Sequence, residues 1–586
     1  MPAASPRVDA GARGEARRIR AAPGSSFANA ACTRPVGRIA GVWGVATPVA
    51  IEARRTLAGA LGAAAQVLDG STSIAVEHDA CSAPDGPVDT PERWEAVLSG
   101  GRLGDVEGAF ALARREPDGS LLLARDAVGE RTLFYAPLPD GGVAFASTLR
   151  ALLATGLVSR ELNLAAVAAY LSYAYVPGRD TLVAGIHELL PGEVARFGPD
   201  GAGPRHDRSW SLPAEPDREE EEDALCLRLR ARLEEAVRRR LPPGEPVGAF
   251  LSGGVDSSLV VALARRLHDA PVRTYSVSFG EGYPNELAFS SMVAGHCGTE
   301  HTIVELSPEV VLHHLDDAIG LLSDPIGDPL TVPNALLFRE AAAETGVVLN
   351  GEGGDPCFGG PKNLPMLLAE LLGDGANEAA DPLARERSYL RAHQKCYDDL
   401  PAMLTARARV ALAEAPLEPR LTPHFADPRW RRFVTKLMAL NVAFKGAHHI
   451  LGKVDAVSAP FGVRPRSPLF DRGVVETAFQ VPPSLKLRGS VEKYLLKQAV
   501  ADLLPRAILE RPKSGMLVPV EAWFQGPLLP QARERLLDGL ASWDLVDRAW
   551  LERLLSGRLP GLRPRRGVKI WLLVTLESWL RTVLGR

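Results

Sequence analysis

The chain has 586 residues, of which 46% are hydrophobic and 24% charged, and its formal net charge is −4. This length predicts about two to four domains, and the composition is that of an ordinary soluble protein. The slightly acidic balance gives no basic surface for nucleic acid, and the absence of an apolar run of about 18 residues excludes a membrane span. The six cysteines show neither a CxxC pair nor a secreted spacing, which favours a reducing cytoplasm and no zinc site.

The first 35 residues are rich in Arg, Ala and Gly. They lack the apolar block of roughly 7 to 15 residues that a secretory signal requires. We expect residues 1–35 to be a disordered tail or a start-site artefact.

Short apolar runs separated by Gly, Pro and Asp follow in residues 36–205. This rhythm predicts antiparallel strands joined by hairpins. A helix is predicted over Leu164–Tyr173. The predicted strands cover residues 39–45, 110–114, 121–125, 132–135 and 143–147.

The stretch Gly108–Arg150 resembles the N-terminal glutaminase domain of class B asparagine synthetases. The resemblance implies an Ntn-hydrolase-like antiparallel sandwich. That family uses an N-terminal Cys nucleophile activated by its own α-amino group. Here Gly37, in the stretch Gly37–Gly41, stands at the matching position, and Cys32, five residues earlier, is interpreted as a loose cysteine of the tail. The Asn-Gly-Glu glutamine-binding stretch is also missing, so we expect residues 36–205 to be a degenerate glutaminase domain.

Residues 206–223 have the composition of a solvated linker. They contain Pro213, Pro216 and the acidic run Glu219–Asp223. The acids also suit the N-terminal dipole of a helix predicted over residues 224–241.

The most specific stretch of the chain is Phe250–Ser258, which lies between an apolar strand and an apolar helical run. Free backbone N–H groups and hydroxyls at such a strand-loop-helix junction form an anion-binding nest, which predicts a phosphate site. The stretch lacks the Lys of the GxxxxGK[ST] loop and is not a GxGxxG fingerprint. Its pattern Ser-Gly-Gly-x-Asp-Ser-Ser resembles the pyrophosphate (PP) loop of enzymes that adenylate a substrate. The resemblance implies ATP binding, with Mg²⁺ on Asp256, by Leu251, Ser252, Gly253, Gly254, Asp256, Ser257 and Ser258.

Strands and helices alternate after this loop. Residues 272–279 and 300–304 read as strands, and residues 285–296 as the helix between them. This alternation predicts a doubly wound parallel sheet with ligands at the strand C-termini. In the resembling family the first of these strands lies beside the adenine, which adds Ser276 and Ser278 to the nucleotide site. The acids of the loop Asp324–Pro329 are read equally well as supports of the site or as turn formers.

A second Gly-rich loop, within Val347–Asp355, carries two carboxylates after another apolar strand. Asp355 is predicted to share Mg²⁺ with Asp256, because a pyrophosphate leaving group needs its charge neutralised. Glu352 is predicted to act as a general base or to orient the incoming amine. Gly351 is assigned to the nucleotide site. Residues 356–363 depart from the asparagine synthetase pattern, which affects the acceptor pocket.

Three C-terminal stretches, residues 466–471, 482–497 and 511–516, follow the order and spacing of the same family. The resemblance implies that Lys513 meets the phosphates or the tetrahedral intermediate as a point charge. Lys493 is the second catalytic lysine it suggests. Other cationic groups show no metal spacing and are expected on the surface or at the pocket rim: Lys395, Lys445, His448, His449 and Lys453.

The resemblance covers about residues 36–586 and implies an asparagine synthetase-like amide ligase. Residues 224–586 would form its ATP-pyrophosphatase (PP-loop) domain, an α/β fold with added helices. A carboxylate attacks the α-phosphate of ATP, giving an acyl adenylate and pyrophosphate, and an amine then displaces AMP. Without a glutaminase the substrate itself is expected to supply the amine, and ring closure makes this economical.

Lasso-peptide macrolactam cyclases and β-lactam synthetases share this logic. β-Lactam synthetases place a Tyr where Glu352 stands, which favours macrolactam formation on a peptide. A β-lactam synthetase-like enzyme, an intermolecular ligase and an ammonia-dependent asparagine synthetase remain alternatives. The expected partners are a peptide or small-molecule carboxylate and amine, with a precursor peptide and its leader-binding and protease partners as candidates.

Two other classes of protein fit the sequence less well. A tRNA-modifying enzyme would need a basic face and, for thiolation, paired cysteines, and the chain has neither. A catalytically dead scaffold would not need Asp256, Asp355 and Lys513 all intact.

Overall fold

The structure is a computed structural model. It describes residues 16–21, 27, 37–45, 47–62, 64–68, 73–139, 141–200, 202–218, 220–360, 381–511, 517–559 and 565–585.

Two facing sheets form the N-terminal domain. All strand pairs are antiparallel except that of Arg38–Trp43 with Ala65–Leu68. The five-stranded sheet has the spatial order His187–Glu188, Phe134–Pro137, Val143–Ala146, Arg38–Trp43 and Ala65–Leu68. The six-stranded sheet has the order Arg205–Arg208, Glu193–Phe197, Leu121–Arg125, Glu107–Arg115, Ile74–Ala83 and Gly86–Pro87.

The central strand Leu121–Arg125 shows why this domain is layered. All five of its residues are buried. Because side chains alternate across a strand, Leu121 and Leu123 enter the core between the two sheets, while Leu122 and Ala124 pack in a second core on the opposite face. The predicted antiparallel sandwich is therefore confirmed.

One parallel six-stranded sheet forms the centre of the C-terminal domain. Its spatial order is Arg17–Arg20, Glu300–Glu305, Val272–Ser278, Val247–Phe250, Val347–Leu349 and Arg464–Arg466. The chain runs outward from Val247–Phe250 in one direction and then returns to build the other side, starting with Val347–Leu349. The strand order therefore reverses between these two neighbours, and in doubly wound sheets such a reversal opens a ligand crevice.

Helices pack against this sheet, and further helices belong to the N-terminal domain. None of the described helices combines the length and the hydropathy needed to cross a bilayer. The N-terminal helices are Thr47–Leu61, Pro91–Ser99, Leu149–Ala154 and Leu164–Tyr173, with a short 3₁₀ turn at Leu103–Asp105. Helices from the linker to the second loop are Glu222–Arg240, Val255–Leu267, Leu287–Cys297, Pro308–His313, Leu315–Ile319, Thr331–Ala342 and Gly354–Phe358.

The remaining C-terminal helices pack around the sheet edge and against the N-terminal domain. A small hairpin, Leu487–Arg488 with Val491–Glu492, interrupts them. The helices are Ala384–Ala392, Leu400–Met403, Ala406–Glu414, Thr422–Ala426, Phe433–Leu440, the π-helix Asn441–Leu451, Gly452–Ser458, Arg472–Gln480, Pro483–Lys486, Tyr494–Ala499, Arg506–Glu510, Val520–Trp523, Leu529–Glu534, the π-helical Arg535–Gly539, Arg548–Ser556, Arg566–Trp579 and the π-helical Leu580–Leu584, with 3₁₀ turns at Tyr397–Asp399, Glu418–Arg420, Ala459–Phe461, Pro468–Phe470 and Leu540–Trp543.

The two domains share a continuous apolar core and buried ion pairs. The Tyr170 hydroxyl donates a hydrogen bond to the Leu572 carbonyl at 2.8 Å. Arg466 binds both oxygens of Asp79 at 2.7 and 2.8 Å. Arg38 binds Asp455 at 2.6 Å. The first domain is therefore fixed to the second through its interior.

Two boundaries differ from the sequence prediction. Arg17–Arg20, placed in the predicted disordered tail, pairs in parallel with residues 302–305 as an edge strand. The last strand of the first domain extends to Arg208. The segment after it, predicted to be a solvated linker, is bound to the C-terminal domain. Glu215 is only 8% exposed, because its carboxylate accepts hydrogen bonds from two backbone N–H groups of the C-terminal domain, both at 3.1 Å. Long-range pairing of this kind leaves no local sequence signal.

Candidate active site

Two Gly-rich loops meet where the strand order reverses. The first follows Val247–Phe250 and the second follows Val347–Leu349. A Cβ atom at Gly351 would overlap the backbone of Ser257, and one at Gly354 would overlap the carboxylate of Asp256. The second loop therefore needs glycine at both positions, since its backbone lies directly against the first loop.

The first loop holds a compact hydrogen-bond pattern at the start of a helix. The Ser257 hydroxyl accepts from the Ser252 N–H at 3.2 Å, and the Ser252 hydroxyl accepts from the Gly254 N–H at 3.3 Å. Among the described residues, no side chain caps the helix Val255–Leu267. Its N-terminal N–H groups can therefore serve an anionic ligand, as the sequence predicts.

Lys493 joins the two loops. Its ammonium group contacts the carboxylates of both Asp256 and Asp355. The lysine is 2% exposed and has a left-handed backbone, with a φ of 55°, at the start of the helix Tyr494–Ala499. Burial lowers the pKa of Lys493, but the charges of Asp256 and Asp355 outweigh this and raise it above its ordinary value. The two predicted metal-binding acids thus converge on one point.

A cavity of about 210 Å³ lies over the loops. Lys445 lines it together with Tyr275, Asn334 and Asn350. Nine of the predicted site residues also line it, namely Leu251, Ser252, Gly254, Asp256, Ser257, Ser276, Gly351, Glu352 and Asp355.

Three predicted nucleotide-binding residues do not reach the cavity. Ser258 is fully buried inside the helix, because one helical step turns it from the loop to the core. The Ser278 hydroxyl accepts from the Gly280 N–H at 3.2 Å and so belongs to the turn after its strand. Gly253 forms the loop without lining the cavity. Its φ is +74°, and a Cβ there would lie 2.6 Å from the Ser290 nitrogen. Lys513 lies outside the described residues.

Behind Glu352 lies a buried charged group. The Lys453 ammonium binds Asp328 at 2.6 Å. Burial lowers the pKa of Lys453, but Asp328 and then Glu352 raise it above its ordinary value. Lys453 and His448 are 2% and 8% exposed, so the prediction that they lie on the surface or at the pocket rim is wrong. Asp328 accepts a hydrogen bond from the Leu330 N–H at 3.0 Å within its own turn and also pairs with Lys453.

The donor set fits a magnesium nucleotide. Asp256 and Asp355 offer two carboxylates, and the described residues contain no group of three or more His, Cys, Asp or Glu side chains placed to hold a metal. Mg²⁺ is ordinarily held by one or two carboxylates together with substrate phosphates, so two suffice. The magnesium role itself remains a prediction.

Sequence reasoning gave no role to Asn350, Tyr275 or Asn334. Asn350 is 3% exposed, its Oδ1 accepts from the Glu352 N–H at 3.1 Å, and its Nδ2 has no hydrogen-bond partner among the described residues. Its position directly after a buried strand was the available signal, since ligands gather at strand C-termini.

Known protein families match both domains of the chain. The family model described as asparagine synthase matches residues 228–581, and that of a glutamine amidotransferase domain matches residues 99–207. The chain is 27% identical to asparagine synthetase [glutamine-hydrolyzing] 1 of Bacillus subtilis, over 81% of this chain and 77% of that protein. It is 27% identical to a putative asparagine synthetase of Mycobacterium bovis, over 86% and 81% of the two chains. It is 24% identical to amidase chyE of Penicillium rubens, over 79% and 78%.

Among solved structures, an NH3-dependent NAD synthetase from Campylobacter jejuni matches 33% of this chain and 93% of its own, with 15% identity and a TM-score of 0.19. The sheet order and the two family models establish the fold. The asparagine synthase model covers more than half of the chain, and the loops it implies meet in one cavity. The chain belongs to the asparagine synthase family of ATP-dependent carbon–nitrogen ligases.

Proposed function

We propose that this protein adenylates a substrate carboxylate with ATP and then joins the acyl group to an amine. One observation carries the proposal. Two Gly-rich loops from neighbouring parallel strands place serine hydroxyls, helix N–H groups and two carboxylates around a single cavity, and the buried Lys493 contacts both carboxylates.

The first step would form the acyl adenylate. An oxygen of the substrate carboxylate attacks the α-phosphorus of ATP, and the bond from that phosphorus to the bridging oxygen breaks to release pyrophosphate. Ser252, Ser257 and the N–H groups of the following helix would hold the departing phosphates. Asp256 and Asp355 would hold Mg²⁺, which neutralises charge on the leaving group when it is bound.

The second step would form the amide. The amine nitrogen attacks the acyl carbon, and the bond to the AMP oxygen breaks. Glu352 lines the cavity three residues before Asp355, where its carboxylate would accept the proton that the amine loses. Lys493, which lies between the two loops, would keep the two aspartates oriented through both steps.

Two more specific proposals, intramolecular and intermolecular amide formation, differ in the source of the amine. We favour an amine on the same substrate, and hence macrolactam formation on a precursor peptide as in lasso-peptide biosynthesis. Two residues support this. Gly37 stands where a glutaminase needs its nucleophilic Cys, and Glu352 stands where β-lactam synthetases have Tyr. Leader-binding and protease partners belong to the same proposal.

Intermolecular amide formation is the second candidate, including ammonia-dependent asparagine synthesis. It is favoured by the relatives named asparagine synthetase, which match most of the chain. The two candidates share the adenylation step and differ in the acceptor.

Pyrophosphate release tests the shared step. The purified protein would be supplied with Mg²⁺, ATP and either candidate peptides or L-aspartate with ammonium. The Asp256→Asn variant should lose at least about a hundredfold in rate, the scale of one lost transition-state contact. Neighbouring serines give a matched pair, since Ser257→Ala removes a cavity hydroxyl and Ser258→Ala a core hydroxyl.

Equal pyrophosphate release by wild type and Asp256→Asn would exclude the proposed chemistry. A larger loss for Ser258→Ala than for Ser257→Ala would show that the phosphates lie elsewhere. Peptide cyclisation, read as a mass loss of one water, separates the intramolecular product from the intermolecular one.

A further inference from the structure

The lining of the nucleotide cavity has a polar part and an apolar part. The polar part lies on the two Gly-rich loops, which would hold the phosphates. The apolar part comes from the strand Val272–Ser278 and the helix Thr331–Ala342, which pack against each other and contribute Val277 and Leu337. A flat and largely apolar nucleobase therefore fits beside this strand, with its phosphates toward the loops.

Ser276 brings a hydroxyl group to the apolar part of the lining. It lines the cavity from the same strand and is 3% exposed. Its neighbour Tyr275 also lines the cavity, but the Tyr275 hydroxyl donates to Glu344 at 2.6 Å. Asn334, from the helix, can present either the oxygen or the nitrogen of its amide, so it accepts donors and acceptors alike. The orientation of the Ser276 hydroxyl therefore decides which group of a base it can bind.

The hydroxyl hydrogen of Ser276 is already used within the protein. The hydroxyl donates to the Leu251 carbonyl, at the start of the first Gly-rich loop. A carbonyl oxygen can only accept, so the serine hydrogen must lie between these two oxygens. The Nε2 atom of His301 lies 3.3 Å from the same hydroxyl. Because the Ser276 oxygen can then only accept from His301, the imidazole must carry a hydrogen on Nε2.

The other side of the imidazole agrees with this tautomer. Burial lowers the pKa of His301 to about 4, although a hydrogen bond with Thr274 opposes the change, so the ring is neutral near neutral pH and has one N–H. Its Nδ1 atom is therefore an acceptor, and the Thr274 hydroxyl donates to it at 2.9 Å, while the Glu300 carbonyl is a more distant alternative at 3.3 Å. The Thr299 hydroxyl, 3.0 Å from that of Thr274, then donates to Thr274. Four side chains thus form hydrogen bonds that all run in one direction, in the order Thr299, Thr274, His301 and Ser276.

We infer that this series of hydrogen bonds makes Ser276 an acceptor for the nucleobase, with His301 as the positioning residue that selects ATP. A hydroxyl oxygen has two lone pairs, and His301 uses one, so the other remains for a donor on the ligand. The exocyclic amino group of adenine is such a donor. The oxo group at the same position of hypoxanthine or guanine is an acceptor and would face a lone pair. This inference rests on the proposed function, because it takes the cavity as the ATP site.

Binding of two nucleotides tests the inference without turnover. Isothermal titration calorimetry would use MgCl₂ with ATP or inosine 5′-triphosphate (ITP), in the absence of an acyl substrate. The wild type should bind ATP at least about tenfold more tightly than ITP, the scale of one hydrogen bond. Ser276→Ala should reduce this ratio to less than about threefold, because the acceptor is lost.

The His301 variants separate positioning from packing. His301→Leu removes the donor to Ser276 and lets the serine hydroxyl turn toward an oxo group, so the ratio should fall as in Ser276→Ala. His301→Gln should retain the ratio, because its amide nitrogen can replace the Nε2–H group. His268→Leu is the matched control and should leave the ratio unchanged, since His268 is also buried, binds the Glu245 carbonyl at 2.8 Å and does not line the cavity.

The tautomer can also be measured directly. Nitrogen-15 NMR of histidine-labelled protein should show a neutral Nε2–H imidazole at neutral pH, in the signal that His301→Gln removes. Should His301→Leu fail to fold, as judged by circular dichroism, this signal and Ser276→Ala decide the result. Equal binding of ATP and ITP by the wild type, binding of neither, an unchanged ratio in a folded Ser276→Ala or His301→Leu variant, or an Nδ1–H tautomer would each overturn the inference.

The ligase and the base selection fail in different ways. Pyrophosphate release with equal use of ATP and ITP would leave the ligase and remove Ser276 as the selecting group. A preference for ATP that depends on Ser276, without pyrophosphate release under any substrate, would keep the base selection and exclude the ligase.

Discussion

Replacement of Lys493 by methionine would leave two carboxylates without their common partner. Each of Asp256 and Asp355 contacts the same ammonium nitrogen, so their nearest oxygens lie within about 6 Å of each other, twice a hydrogen-bond length. At an effective dielectric constant of about 20, two negative charges at that distance repel by about 3 kcal/mol. Loss of one partner from a buried ion pair costs about 3–5 kcal/mol in general, which agrees with this value.

Urea unfolding followed by tryptophan fluorescence would measure the effect. Lys493→Met should lose about 3–5 kcal/mol of unfolding free energy without metal. Millimolar MgCl₂ should restore part of this loss, because a divalent cation can bind between the same carboxylates. Lys497→Met, four residues further along the same segment, is the control and should change by less than about 1 kcal/mol.

Two results would refute this reasoning. Equal stability of Lys493→Met and wild type without metal would mean that the acids do not share the lysine. An equal effect of MgCl₂ on both proteins would mean that the acids do not form a cation site.

Gly354→Ala should cost about 1–3 kcal/mol of stability and abolish pyrophosphate release, because its methyl group would overlap the carboxylate of Asp256. Burial lowers the pKa of Lys486 from 10.5 to about 7, so the unfolded chain binds the extra proton and stability should rise with pH between about 7 and 10.5. Lys486→Met should remove that slope in urea titrations and stabilise the protein at pH 7 by a few kcal/mol, about 1.4 for each pH unit. Burial raises the pKa of Asp79, but Arg466 outweighs this and brings it to about 2. Stability should therefore fall as the pH drops from about 4 to about 2, and Arg466→Met should cost about 3–5 kcal/mol and flatten that dependence. A steeper acid transition in the variant would contradict this.

Local sequence signals predicted individual helices and strands, including one strand that carries the site. The helix Leu164–Tyr173 has the predicted ends, and the strand Val347–Leu349 lies where its apolar run places it. Hydrophobic periodicity and Gly-rich turns are sufficient to predict such elements, because both signals depend on residues that are neighbours in the chain. The edge strand Arg17–Arg20 has one apolar residue in four, and its partner strand lies nearly 300 residues away. No local pattern could reveal it.

The same limit applies to the ion pairs between the domains and to the site. Glu77 and Asp79 are two residues apart in one strand, so their side chains lie on the same face. Their partners, Arg38 and Arg466, come from other strands, and Arg466 belongs to the second domain. Lys493 reaches its position between the loops because its backbone is left-handed and its side chain is buried. The sequence around this lysine gives no local signal for either feature. Ser258 is the exception. Because consecutive residues of a helix face different sides, the sequence could have predicted that Ser258 faces the core when Ser257 faces the cavity.

The hydrogen bond from the Tyr170 hydroxyl to the Leu572 carbonyl limits which part of the chain can be deleted. Deletion of the amidotransferase-like domain would remove the packing partner of the helix Arg566–Trp579 and leave Arg466 buried without Asp79. The sandwich is therefore part of the interior around which the C-terminal domain folds, in addition to any chemistry of its own.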